Sequence, residues 1–105
     1  MSTDILYGAI HSTGTLDTKF TSYGLSKFNI IHHPNGHYDF KLISGSYSKR
    51  PIVIAQQYDA TNGDAPYSMS KVRWSTDNTT FSVTFVNPTN EVARITAFQL
   101  IIING

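Results

Sequence analysis

Asn29–Phe40 reads NIIHHPNGHYDF, and this stretch decides between helix and sheet. Asn-Gly is a strong signal for a tight turn with positive φ. Beyond it the chain runs HYDFKLI, residues 37–43, where Tyr38, Phe40 and Leu42 alternate with His37, Asp39 and Lys41. A period of two puts one set of side chains on each face of a strand. The stretch is therefore expected to be a β-hairpin with one buried face. Three of the chain's four histidines then sit at its tip.

The same grammar extends in both directions. ILYGAIH (residues 5–11), LSKFNIIH (25–32), IVIAQQY (52–58), YSMSKVRW (67–74), FSVTFV (81–86) and ARITAFQLIII (93–103) read as further strands. They are rich in Ile, Val, Thr, Tyr and Phe. Clusters of Gly, Pro, Asn, Asp and Ser separate them. No segment shows the 3.6-residue apolar period of a helix. About eight strands at near-regular spacing point to an all-β sandwich or barrel. A chain of 105 residues suits one domain, residues 1–105, with one modest core.

Composition narrows the function classes. The formal net charge is +1 and only 14% of residues are charged. No basic cluster exists of the kind that tracks nucleic acid. Cysteine is absent, which removes disulfides and zinc–thiolate sites. The start, MSTDILYGAIHSTG, lacks the basic head and apolar stretch of a secretory signal. If the protein leaves its cell, it is expected to do so by lysis or on a larger particle such as a virion. The apolar runs are too short for a membrane span, so no membrane insertion is expected.

The last strand carries a second message. Ile95, Ala97, Gln99, Ile101 and Ile103 fall on one face; Thr96, Phe98, Leu100 and Ile102 fall on the other. An antiparallel sandwich normally turns one polar face to water. Here both faces are mostly apolar. One face packs the core, and the economical cover for the other is a further copy of the chain.

The order of several motifs is familiar: Gly8-x-Ile10 with Gly14, Gly36-x-Tyr38-x-Phe40, Pro51-Ile52-Val53, Phe81-x-Val83, and Phe98-x-Leu100 near Gly105. This order resembles the small trimeric jelly-roll domains related to the complement globular head and tumour necrosis factor. Similar domains occur at phage tail-fibre tips and in bacterial surface proteins. The resemblance implies a jelly-roll β-sandwich of about eight antiparallel strands, a homotrimer, and a recognition or structural head without catalysis. The matched positions are structural and carry over no ligand contacts.

Chemistry-bearing residues are sparse. The histidines are first read as exposed turn residues; a metal site built across subunits or a pH-sensitive contact are the alternatives. His32 and His33 diverge as strand neighbours, while His37 can face either, depending on register. The seven acidic residues single out no carboxylate pair for glycoside hydrolysis. Neither a nucleophile elbow nor a cysteine nucleophile is present, so no enzyme, no cofactor and no assigned metal site are expected.

The aromatics offer a better lead. Sugar rings stack on aromatic faces while hydroxyls take polar neighbours, and a compact site needs few such groups. The loop YDATNGDAPY and its flank supply the candidate ligand-binding residues Tyr58, Asp59, Asn62, Asp64, Tyr67 and Trp74. Trp74 also has the competing role of finishing the core. The expectation is a lectin-like or receptor-binding head for a cell-surface glycan. The alternative is a structural head that trimerises or caps a fibre and binds no sugar.

Overall fold

The computed structural model describes residues 4–34, 36–58, 69–86 and 97–104. Among the described residues seven strands run in chain order: β1 (Asp4–His11), β2 (Phe28–His33), β3 (His37–Leu42), β4 (Ile52–Tyr58), β5 (Met69–Trp74), β6 (Thr80–Val86) and β7 (Ala97–Asn104). They form two antiparallel sheets that face each other as a sandwich, one ordered β1-β7-β4 and the other β2-β3-β6-β5. Among the described residues no helix is long and apolar enough to cross a membrane.

Alternation in the sequence becomes a shared core. Tyr38 and Phe40 of β3, Phe81, Val83 and Phe85 of β6, and Phe98, Leu100 and Ile102 of β7 all point inward and are fully buried. Phe40 stacks on Phe81 at 4.8 Å between ring centroids. Phe98 crosses from the other sheet to Tyr38 and Phe85, at 4.8 and 5.0 Å. Each such ring contributes roughly 1.5–3 kcal/mol by leaving water. The one polar atom of this cluster, Tyr38 Oη, donates to Ser12 O at 2.9 Å, so its burial leaves no orphan.

One expected strand starts late. Residues 25–27 form a 3-10 turn, and β2 begins at Phe28. Gly24, with φ 77°, turns the chain, and Lys27 N–H donates to Gly24 O at 3.3 Å. This swings Leu25 into the core, where it is buried. The expected strand residues 67–68 and 93–96, and the turn residue Asn35, lie outside the described residues.

Candidate functional site

The outer face of the four-stranded sheet is polar and ordered by register. His33 pairs with His37, and His37 with Thr84; Ile31 pairs with Asp39, and Asp39 with Ser82. On the far edge Lys71 pairs with Thr84 and Arg73 with Ser82. Paired residues share a face. The result is two adjacent rows, His33–His37–Thr84–Lys71 and Ile31–Asp39–Ser82–Arg73. A shallow groove of about 480 Å³ runs over Asp39, Ser82 and Thr84 towards Lys71 and Arg73.

Asp39 is the hub. Its Oδ2 accepts from His33 Nε2 at 2.8 Å, and its Oδ1 from Ser82 Oγ at 2.6 Å. His37 Nε2 stands 3.4 Å from Oδ1. On its other side, His37 Nδ1 is hydrogen-bonded to Thr84 Oγ1 at 2.6 Å. Partial burial pushes the Asp39 carboxyl up, but hydrogen bonds from Ser82 and His33 and the nearby imidazoles outweigh it. The net shift is downward, which keeps Asp39 a carboxylate at neutral pH.

The order of contacts limits the chemistry. Activating a serine needs serine, imidazole and carboxylate in that sequence. Here Ser82 and His33 both donate to the carboxylate, so Ser82 has no imidazole base. What the cluster offers is two imidazoles and one carboxylate with their ligand atoms together, on a face open to solvent.

The outer face of the three-stranded sheet is the opposite in character. Register places Ile5, Ile103 and Ile52 in one row and Tyr7, Ile101 and Ile54 in the next. Tyr23 bridges to Tyr7 beyond them. Ile52, Ile54 and Tyr23 are 63%, 52% and 57% exposed. These two rows carry no charge. β7 is the central strand, with Phe98, Leu100 and Ile102 in the core and Gln99 and Ile101 facing out.

The sequence-predicted ligand residues divide three ways. Asp59, Asn62, Asp64 and Tyr67 lie outside the described residues. Tyr58 ends β4 and donates its hydroxyl to Asp17 Oδ2 at 2.6 Å. Its ring meets Phe20 edge-on at 4.9 Å. Trp74 ends β5 on the other sheet, with its ring against Tyr47 and Phe81 at 5.8 and 5.1 Å; it packs against the core. Tyr58 and Trp74 thus stand on different sheets. Around Tyr58 the structure adds Phe20, Asp17 and His11, whose Nε2 is 3.7 Å from Asp17 Oδ1. They come from β1 and the connection after it, so nothing in the local sequence linked them to Tyr58.

The turn at 75–79 is held by side chains. Asn78, in the sequence NTT, has φ 58°; its Nδ2 donates to Tyr47 O and its Oδ1 accepts from Arg50. That amide nitrogen is engaged in holding two loops together.

Comparison with family models, with curated proteins and with solved structures finds no match to this chain.

Proposed function

We propose that the chain is a non-enzymatic recognition head: a jelly roll that assembles as a homotrimer and binds carbohydrate on a cell surface. One observation carries the assembly half. The outer face of the three-stranded sheet presents two uncharged isoleucine-rich rows around the central strand, an arrangement that water does not favour. A second copy of the same chain covers such a face without meeting opposing charge.

The strand layout supports the jelly-roll reading. The chain changes sheet between β1 and β2, between β3 and β4, between β4 and β5, and between β6 and β7, while first and last strands pair. Support for recognition comes from Phe20 and Tyr58, an aromatic pair that includes one of the residues, Tyr58, Asp59, Asn62, Asp64, Tyr67 and Trp74, that the sequence assigns to sugar. A glycan array on the pure protein tests this half. A reproducible sugar hit, weakened at least tenfold by Asp64→Ala or Tyr67→Ala, is the expected result. A blank array with an intact trimer would leave the structural fibre-head reading in its place.

A further inference from the structure

We propose that His33, His37 and Asp39 form a binding site for a late first-row transition-metal dication within one subunit. The three residues offer one ligand atom each, all within 4.8 Å of one another. Two imidazoles and a carboxylate are a donor set suited to zinc, nickel or copper. Register fixes them on one face: His33 and His37 are direct cross-strand partners at the end of the β2–β3 hairpin, and Asp39 follows His37 by two.

Two neighbours already hold the ligands as a metal site needs. Thr84 engages His37 Nδ1 and leaves Nε2 facing Asp39. Ser82 anchors Asp39 Oδ1 and leaves Oδ2 beside His33 Nε2. Partners of this kind fix ring orientation and ligand basicity. A tetrahedral ion with bonds near 2.0–2.1 Å sets its ligands roughly 3.3 Å apart. The half-buried imidazoles reach that spacing by small side-chain rotations.

Lys71 and Arg73 oppose a cation: they belong to β5 and line the same groove as His37 and Asp39. Three protein ligands leave a coordination position vacant. In the groove beside it, that position takes an oxygen of solvent or of a bound molecule.

Calorimetric titration of the full chain with zinc chloride tests the proposal. The expected result is one zinc per chain, with affinity lowered at least tenfold in His33→Ala, in His37→Ala and in Asp39→Asn. His32→Ala is expected to bind as the parent does, because His32 stacks on Tyr38 on the opposite face. Circular dichroism on the same samples identifies any variant that fails to fold; the two histidine variants then decide the matter. No zinc binding at about a hundred micromolar, an affinity equal to the parent's in both histidine variants, or one zinc per three chains would each overturn a site contained in one subunit. Glycan binding is scored separately, so loss of zinc leaves the recognition reading standing.

Discussion

Asp17 shows how one side chain ties distant segments together. It is buried, and its carboxyl is held below the ordinary 3.8, first by the Tyr58 hydroxyl and next by the Lys19 N–H. A carboxyl whose native pKa is depressed stabilises the fold above its unfolded value, and that stability is lost as pH falls through the native value. Tyr58→Phe removes the largest cause and returns Asp17 towards 3.8. The stability gap between parent and Tyr58→Phe should therefore be widest at about pH 6 and shrink at about pH 2.5. Thermal melts at the two pH values check this; a gap that holds or widens in acid would contradict it. None of this was legible beforehand. The sequence marks Tyr58 as a candidate ligand-binding aromatic, and its partner is 41 residues away.

At the scale of elements, the β2–β3 hairpin was the most readable part of the chain. Asn-Gly and the His37–Leu42 alternation are local signals, and β3 stands where they predict. The sequence left open whether His32 or His33 faces His37, because a shift of one residue exchanges the faces. The structure pairs His33 with His37. Ser82 and Thr84 were legible as outward positions between Phe81, Val83 and Phe85. Their meeting with Asp39 and His37 depends on β3 pairing with β6, a long-range choice that local pattern does not encode. The late start of β2 has a local sign: Leu25 is out of step with Phe28 and Ile30, and the left-handed Gly24 precedes it. A Cβ on Gly24 would collide with the buried Leu6 side chain. Gly24→Ala should combine strain at positive φ with overpacking and cost about 2 kcal/mol. Urea unfolding measures this, and a loss under about 0.5 kcal/mol would show that the turn is not fixed by the glycine.

The whole molecule has two unlike outer faces, one polar and one apolar. The apolar one was foreseen from the last strand, where isoleucines fall on both sides. The structure adds the neighbouring rows from β1 and β4, which widen a stripe into a face. Ile54 lies on the outer side of the edge strand, so Ile54→Glu should split the proposed trimer and keep the fold. Circular dichroism should stay unchanged while the particle mass drops. The most direct measurement is light scattering on the parent chain at micromolar concentration, coupled to size exclusion. The proposed homotrimer gives a mass three times that of the 11.7 kDa chain, falling to the single-chain mass in Ile54→Glu. A parent protein that elutes at the single-chain mass would contradict it.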